Sequence, residues 1–310
     1  MNIVTNNHNS QVHIQDIVEY LYFALTKSGA SPTYGLGEWT LDAPNIVLEG
    51  GNSAFNDKII LAKNKFPSLK IYLIVTEFIN DGYLNSANLN MSDGESKNTH
   101  YENKNYWIQR TNDFVKLLPY VDGLITMNSI LYEQYKLVHS RCFYLPLLQI
   151  PELTFKKYKK SDKKYDFVFS GTITEYRKKI IAAINEQGFK TIVVDSSTPE
   201  YIRESIYTQS KIVLCPRLHE RTVTFSTMRA FYCLNNSLPH IFESVTDKCD
   251  MGGFVNFSNS SDYVADAVAS LNKISGENYL FHRFSDYSKE NYIIFDNFKK
   301  WLEEDCYVQV

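Results

Sequence analysis

The sequence lacks the features that mark several large classes of protein. Its five cysteines are an odd number, widely spaced, with no CxxC pair and no zinc-like spacing of histidine and cysteine. No apolar run approaches the length of a membrane span, and the N-terminal stretch MNIVTNNHNS has neither a basic nor an apolar segment. We therefore expect a cytoplasmic protein with reduced thiols and without a metal site.

A large excess of charge of one sign is also missing. The formal charge is −3 at pH 7 and the isoelectric point is near 6.2, so the chain has no basic surplus of the kind that binds nucleic acid by neutralising phosphates. It also has no G-x-G-x-x-G segment after a predicted strand with an acidic residue about twenty positions further on, the pattern typical of NAD-dependent enzymes. We therefore expect no nucleic-acid partner and no cofactor.

What the chain does contain is enough apolar material for two cores. Hydrophobic residues make up 44% of the 310 residues and aromatic residues 14%, which suits two domains. Strand-like and helix-like segments alternate along both halves. The predicted strands are 1–5, 45–49, 70–75, 123–127 and 142–145 in the first half, and 165–170, 191–194, 211–215, 240–242 and 254–257 in the second. This alternation predicts parallel sheets covered by helices on both faces.

A lysine-rich run, KKYKKSDKK at 156–164, separates the two halves. Such runs are usually solvated linkers, but lysine clusters are also attracted to anionic lipid surfaces, which leaves a peripheral membrane contact as an alternative. We predict an N-terminal domain at 1–155, a linker at 156–164, a C-terminal domain at 165–290 and a terminal segment at 291–310. The last predicted helix, 284–304, is rich in aromatic residues and is expected to pack on a large apolar surface.

The stretch 214–243, LCPRLHERTVTFSTMRAFYCLNNSLPHIFE, places polar residues between two predicted strands. In an open α/β sheet, ligands bind beyond the carboxyl ends of the strands, where helix N-termini attract anions. Basic and hydroxyl side chains suit a phosphate-bearing ligand there; they are Arg217, Arg221, Arg229, Thr222, Thr224 and Ser226. The alternative is that the arginines are solvated and the hydroxyl groups only cap the helix.

A second segment has a similar arrangement. Strand 165–170 is followed directly by Gly171 and Thr172, and then by a predicted helix whose first turn carries Arg177 and Lys178. A strand, a glycine with hydroxyl groups and a helix N-terminus are together favourable for phosphate. By contrast, the glycines in the loop 34–39 are weak evidence, and we expect either a mobile loop on the substrate side or an ordinary turn.

Two carboxylates follow the predicted strand 70–75. Glu77 and Asp81 lie beyond its carboxyl end, where burial in a cleft can raise a pKa toward neutrality, so both are candidates for a general base. The competing interpretation is structural, with Glu77 capping the next segment and Asp81 forming a turn with Gly82. The polar segment 85–105 is long for a connection and is predicted to be either a lid or locally disordered.

Two segments resemble glycosyltransferases of the GT-B architecture. YDFVFSGTITEYRKKII, at 165–181, is similar to the strand–Gly–Arg entry of their donor domain. STMRAFYCLNNSLPHIFE, at 226–243, is similar to the S-x-R-x-F-E-x-x-A-C-G-x-x-x-x-x-E pattern of family-1-like and spore-maturation-like transferases, with Tyr232 where the pattern has its first glutamate. The resemblance implies two Rossmann-like domains that face each other across a cleft, with the C-terminal helix returning to the N-terminal domain.

The resemblance also implies an activity: transfer of a sugar from a nucleotide-sugar donor to a hydroxyl group of a glycan or glycoconjugate, as in cell-surface polysaccharide synthesis, without a bound metal ion. Basic side chains would stabilise charge on the leaving phosphate, and Glu77, Asp81 or His219 would act as general base. The residues expected to bind the donor are Gly171, Thr172, Arg177, Lys178, Pro216, Arg217, Glu220, Arg221, Thr222, Ser226, Arg229 and Glu243.

Two alternatives stay open. Asn80-Asp81-Gly82 partly resembles the acidic-acidic-Gly motif of transferases that use CMP-activated sialic acid or Kdo, in which the second acidic residue is the general base; only Asp81 and Gly82 match. The other alternative is a non-catalytic module of the same fold that binds a carbohydrate or a protein, which the missing family glutamate favours. Glu220 and Glu243 are the carboxylates to test in its place.

Overall fold

The computed structural model describes residues 1–5, 11–48, 53–85, 103–155, 163–195, 198–259, 261–273 and 279–304. The chain divides into two compact units, Met1–Pro146 with Asn291–Val310, and Leu147–Glu290. Each unit has its own parallel sheet, which confirms the α/β class predicted from the alternating pattern. None of the described helices combines the length and apolar character needed to cross a membrane.

The first unit is built on a sheet of six parallel strands. Its elements up to Pro146 are β1 (Asn2–Thr5), α1 (Gln11–Lys27), β2 (Thr33–Leu36), β3 (Asn45–Leu48), α2 (Ser53–Lys65), β4 (Ile71–Val75), β5 (Ile79–Asn80), β6 (Tyr83–Leu84), α3 (Lys104–Leu117), β7 (Gly123–Thr126), α4 (Ser129–Tyr135) and β8 (Cys142–Tyr144). The strand order is β2-β1-β3-β4-β7-β8, while β5 and β6 form a separate antiparallel hairpin. Strands β1, β3, β4 and β7 are buried along their whole length, as expected for apolar strands covered on both faces.

Strand β2 corrects one prediction. We expected a loop at 34–39, whereas Thr33–Leu36 forms an edge strand in parallel with β1. The Tyr34 hydroxyl lies 2.8 Å from Thr5 Oγ1, and the Gly37 N–H donates to the Thr5 carbonyl at 2.8 Å. The segment is glycine-rich and mostly exposed, so it lacks the alternating apolar pattern by which a strand is recognised in sequence. It is a strand because it pairs with β1.

The second unit has a sheet of four parallel strands. Its elements are β9 (Tyr165–Ser170), α5 (Glu175–Glu186), β10 (Thr191–Val194), α6 (Glu200–Thr208), β11 (Ser210–Cys215), α7 (Thr227–Asn235), β12 (His240–Phe242), α8 (Tyr263–Ser270) and α9 (Tyr279–Asn291). The strand order is β10-β9-β11-β12, so the chain moves from β9 to one side and then returns to the other. Sheets of this kind bind ligands at that switch point, beyond the carboxyl ends of β9 and β11. The strand predicted at 254–257 does not form; Phe257 makes one isolated bridge with Phe242.

The segment 147–155 groups with the second unit, although we had expected it in the first domain. The Ile150 N–H donates to Asn235 Oδ1 at 2.9 Å, and the Phe155 N–H donates to Asn236 Oδ1 at 2.7 Å. Both acceptors lie about eighty residues further along the chain, at the end of α7, so no local pattern reveals them.

Two other predicted segments lie largely outside the described residues. Of the linker 156–164, only Lys163 and Lys164 are described, and of the segment 85–105, only Asn85 and residues 103–105 are described.

The terminal segment contributes one more helix, α10 (Ile293–Glu303), to the first unit. The predicted single helix at 284–304 is instead the end of α9 followed by α10. The Trp301 ring packs on Tyr72, with centroids 5.0 Å apart, and on Phe143 at 5.3 Å. Gly123 makes room for it, because a Cβ at that position would lie 2.9 Å from Trp301 Cη2. Packing on the first sheet therefore explains Trp301 of this helix.

Candidate functional site

Most predicted donor-binding residues gather at the switch point of the second sheet. Gly171 and Thr172 follow β9, Pro216 and Arg217 follow β11, and Glu243 follows β12. Since β11 pairs with both β9 and β12 in parallel, these segments meet at one edge of the sheet. The sequence-based expectation of a polar cluster at this edge is met by the described chain.

Arg177 joins the loops that follow β9 and β11. Its buried guanidinium donates from Nη1 to the Thr172 carbonyl at 2.8 Å, from Nε to the Arg217 carbonyl at 2.8 Å, and from Nη2 to the Pro216 carbonyl at 3.0 Å. Burial, and after it the charge of Arg229, lower the pKa of Arg177 to about 9. All three nitrogens donate to backbone groups, so Arg177, which we expected to bind the donor, holds the two loops together.

Thr174 ties the same loops at a second point. Its hydroxyl donates to the Leu218 carbonyl at 2.6 Å and accepts the Arg177 N–H at 3.3 Å, which caps the N-terminus of α5. The residue is almost fully buried. The relative position of the two loops is thus set by hydrogen bonds that close only when β9 and β11 are paired.

Glu243 and Arg217 form a partly buried ion pair. Glu243 Oε1 accepts from Arg217 Nε at 2.7 Å and Nη2 at 2.6 Å, while Oε2 accepts the Arg217 backbone N–H at 2.9 Å. Arg217 Nη1 donates to the Glu220 carbonyl at 2.8 Å. The Glu243 side chain is only 7% exposed. The carboxylate that we expected on a ligand is therefore used to orient Arg217.

Tyr176 completes this pair, and sequence reasoning missed it. Its hydroxyl donates to Glu243 Oε1, and Arg217 Nη2 lies 3.4 Å from the same hydroxyl. Burial, and after it the bond to Glu243, raise the pKa of Tyr176 to about 12. Burial alone would lower the pKa of Arg217, but the hydrogen bonds to Glu243 and Tyr176 outweigh it, and that pKa is raised. At neutral pH Tyr176 is therefore protonated and Arg217 carries its positive charge.

His219 lies buried in the loop after β11. Its Nδ1 accepts the Arg221 N–H at 3.2 Å, so the neutral ring carries its proton on Nε2. Burial, followed by the charges of Arg221, Arg177 and Arg217, lowers the pKa of His219. At neutral pH the imidazole is uncharged and is a hydrogen-bond donor at Nε2, which differs from the general base that we expected.

Arg229 differs from the other two site arginines. It is half-buried in the first turn of α7, and its guanidinium carbon lies 5.4 Å from the centroid of Phe169, over whose ring Arg177 also lies at 5.1 Å. A Cβ on Gly171 would lie 2.6 Å from Arg229 Nη2, so the guanidinium rests against the glycine backbone. Among the described residues, none accepts a hydrogen bond from this guanidinium or pairs with it as a carboxylate.

The remaining predicted donor residues are peripheral or structural. Lys178 is exposed and pairs with Glu175 at 2.6 Å. Glu220 and Arg221 are exposed. The Thr222 hydroxyl accepts the His219 N–H at 3.1 Å, and the Ser226 hydroxyl caps α7 through the Arg229 N–H at 3.3 Å. The capping role that we gave as the alternative is therefore observed for Ser226, whereas the Thr222 hydroxyl bonds within its own loop.

Glu77 lies in the first unit at the end of β4 and is held by two side chains. Its Oε1 accepts from Arg110 Nη2 at 3.1 Å, its Oε2 accepts from Asn85 Nδ2, and its carbonyl accepts from the Tyr135 hydroxyl at 2.8 Å. Arg110 in turn lies 5.9 Å from the Trp107 ring. Both carboxylate oxygens thus accept hydrogen bonds. Neither Arg110, which lies in a predicted helix, nor Asn85, which lies in a polar segment, was predicted to be a partner of Glu77.

Asp81 lies at the tip of the β5–β6 hairpin. Asp81 and Gly82 both have positive φ, 53° and 79°, as in the type I′ turn that Asp-Gly favours. The turn interpretation is therefore correct for the backbone. The side chain is exposed, and among the described residues none donates a hydrogen bond to it.

Comparison with models of protein families finds no match for this sequence, and comparison with curated proteins finds none either. Within the described residues, no three or more His, Cys, Asp and Glu side chains come together as a group that could hold a metal ion.

Proposed function

We propose that the protein is a glycosyltransferase of the GT-B type, which moves a sugar from a nucleotide-activated donor to a hydroxyl group of a glycan or glycoconjugate, and that the second unit binds the donor. One observation carries the proposal. Arg177 and Arg229 lie over the same ring at the switch point of a parallel sheet, and no described carboxylate forms an ion pair with either. Two neighbouring like charges that are partly desolvated favour an anionic ligand, and phosphate groups bind at such edges.

In the proposed reaction, the bond between the sugar's anomeric carbon and the donor's phosphate oxygen breaks, and the acceptor oxygen bonds to that carbon. The positive charge at the switch point stabilises the phosphate that leaves. The acceptor's proton passes to a general base. Of the three candidates, Asp81 is the one whose carboxylate is not already engaged within the described structure, since Glu77 is held by Arg110 and His219 accepts at Nδ1.

A thermal-shift screen against UDP, GDP, TDP and CMP tests the proposal. A nucleotide present at about 100 times its Kd adds about 2.7 kcal/mol to stability, so we expect one of the four to raise the melting temperature clearly. The matching nucleotide sugar is then incubated with the protein, and release of the nucleotide and transfer of the sugar are followed by mass spectrometry. If none of the nucleotides stabilises the protein, the proposal fails.

The alternatives give different results in the same experiment. Stabilisation by CMP alone would favour a sialic acid or Kdo transferase, for which the Asp81-Gly82 turn is the supporting feature. Binding without turnover would favour a non-catalytic module. One observation supports that module: Tyr232, which stands where the resembling pattern has glutamate, packs against Phe155 at 5.0 Å and Tyr207 at 5.1 Å, and so does not replace a ligand-binding carboxylate.

A further inference from the structure

We propose that Arg229, lodged against Gly171, is the side chain of this site that binds a phosphoryl group directly, and that Arg177 contributes its charge without touching the ligand. The inference rests on the proposed function in taking that phosphoryl group to belong to a nucleotide sugar. It divides three arginines of the site, which look equivalent in sequence, into one that binds the ligand, Arg229, and two that support the loops, Arg177 and Arg217.

The division follows from where each guanidinium donates. Arg177 places Nε, Nη1 and Nη2 on three backbone carbonyls. Arg217 places Nε and Nη2 on Glu243 and Nη1 on the Glu220 carbonyl. In the described structure, the Arg229 guanidinium makes neither a hydrogen bond nor an ion pair. Its planar fork of donors, which matches two phosphate oxygens, is therefore available.

The position of Arg229 in its helix points the same way. It is in the first turn of α7, a helix of nine residues with no acidic residue in that turn. A cation there opposes the positive end of the helix dipole, so the arginine is unfavourable unless an anion lies close by. A phosphoryl group would interact favourably with both the side chain and the helix terminus.

Gly171 gives Arg229 its place. With φ at +132°, the residue has a backbone conformation that favours glycine, and a Cβ would lie 2.6 Å from Arg229 Nη2. The Phe169 ring lies beside the same guanidinium at 5.4 Å. The aromatic ring and the bare backbone leave the guanidinium few conformations, which lowers the entropy lost when a ligand binds.

Arg177 adds positive charge to the site without donating a hydrogen bond to the ligand. Burial and the charge of Arg229 lower its pKa, which means that the two cations repel each other. A bound anion would offset that repulsion. Because the Arg177 nitrogens already donate to carbonyls, its effect reaches the ligand only through charge and through the loops that it holds.

The test compares three variants of the full chain by isothermal titration with inorganic pyrophosphate, inorganic phosphate and the four nucleotides. Arg229→Gln removes the guanidinium, Arg229→Lys keeps the charge without the fork, and Lys211→Gln is the matched control. Lys211 pairs with Asp166 at 2.7 Å near the amino ends of β11 and β9, so this control removes one cation from the opposite end of the same strands. Melting temperatures show whether each variant is folded.

We expect Arg229→Gln to weaken pyrophosphate and nucleotide binding by about tenfold or more, since one charge-assisted hydrogen bond is worth at least that. Arg229→Lys should retain part of the affinity, and Lys211→Gln all of it. A folded Arg229→Gln protein that binds a nucleotide as tightly as the wild type would overturn this inference and leave the proposed function standing. Binding of pyrophosphate that depends on Arg229, with no nucleotide bound, would support the anion site and overturn the proposed function. A wild-type protein that binds none of these compounds would overturn both.

Discussion

The Glu243 carboxylate binds both the side chain and the backbone of Arg217: Oε1 lies 2.7 Å from Arg217 Nε, and Oε2 lies 2.9 Å from the Arg217 backbone nitrogen. Arg217 follows β11 and Glu243 follows β12, so the pair connects the ends of two neighbouring strands. A carboxylate used in this way positions the loop that carries Arg217 and His219. Its influence on any ligand passes through that loop.

The first prediction concerns this pair. Glu243→Gln should lower the free energy of unfolding by roughly 2 kcal/mol, because Arg217 and Tyr176 lose a charged acceptor in a mostly buried position. Urea unfolding followed by circular dichroism measures the change. Glu220→Gln is the control: Glu220 is exposed and bonds Arg217 only through its carbonyl, so a change within about 0.5 kcal/mol is expected. Equal losses in the two variants would show that the ion pair has no special role.

The second prediction separates two arginines by stability. Arg177→Gln should cost about 3 kcal/mol or more, because three carbonyls lose a charged donor in a buried place. Arg229→Gln should cost less than about 1 kcal/mol, because its guanidinium makes no hydrogen bond within the described structure. The same urea titrations compare them. The opposite order would mean that Arg229, and not Arg177, is the structural residue.

The third prediction is a pH dependence that comes from His240. The buried ring has Nδ1 2.8 Å from the Leu238 carbonyl and Nε2 3.3 Å from the Asn256 nitrogen, and burial lowers its pKa from 6.5 to about 4. Between these values the unfolded chain takes up a proton that the folded chain does not, so stability falls as the pH drops below 6.5. Above pH 6.5 this residue adds no pH dependence.

For His240 alone we expect stability at pH 5 to be about 2 kcal/mol lower than at pH 7. His240→Asn removes the titrating group and keeps a donor near the Leu238 carbonyl. The difference between wild type and variant, each measured by urea unfolding at both pH values, isolates the contribution. An identical loss in the two proteins would assign the pH dependence to other groups.

The fourth prediction tests how α10 packs on the first sheet. Gly123→Ala would place a Cβ 2.9 Å from Trp301 Cη2 and 3.2 Å from Tyr72 Cδ1, which should cost about 1–3 kcal/mol by overpacking. Tryptophan fluorescence during thermal unfolding reports the change. Gly253→Ala is a suitable control, since nothing lies within 4 Å of its added Cβ. A Gly123→Ala protein as stable as this control would contradict the packing described for Trp301.

The fifth prediction concerns the proposed general base. Asp81→Asn removes the carboxylate but suits the same turn, because asparagine tolerates the positive φ of 53° found there. Melting temperature and nucleotide binding should stay unchanged, while sugar transfer should fall by about a hundredfold or more. Turnover is measured with the donor identified in the nucleotide screen. Full activity in this variant would show that Asp81 is not the general base and that its role is confined to the turn.

Much of the fold could be predicted from local sequence. Segments such as IYLIV at 71–75 are apolar and β-branched along their whole length, and they are buried strands in the structure. The edge strand at 33–36 and the attachment of 147–155 to the second unit could not be predicted, because both depend on partners that are distant in sequence. The turn at Asp81-Gly82 could be predicted, because it depends on these two residues and not on a partner distant in sequence.

The sequence by itself determined that two α/β units form and that arginines, hydroxyl groups and carboxylates follow their strands, because burial pattern and strand order are properties of neighbouring residues. Only the tertiary structure decided which of those arginines donates its hydrogen bonds to other groups of the protein. Glu243 reaches Arg217 across 26 residues of chain, and Arg177 reaches the Pro216 carbonyl across 39. Such contacts exist only once β9, β11 and β12 are paired. For this reason Arg177 and Arg217 hold the loops in place, while the Arg229 guanidinium is available to a ligand.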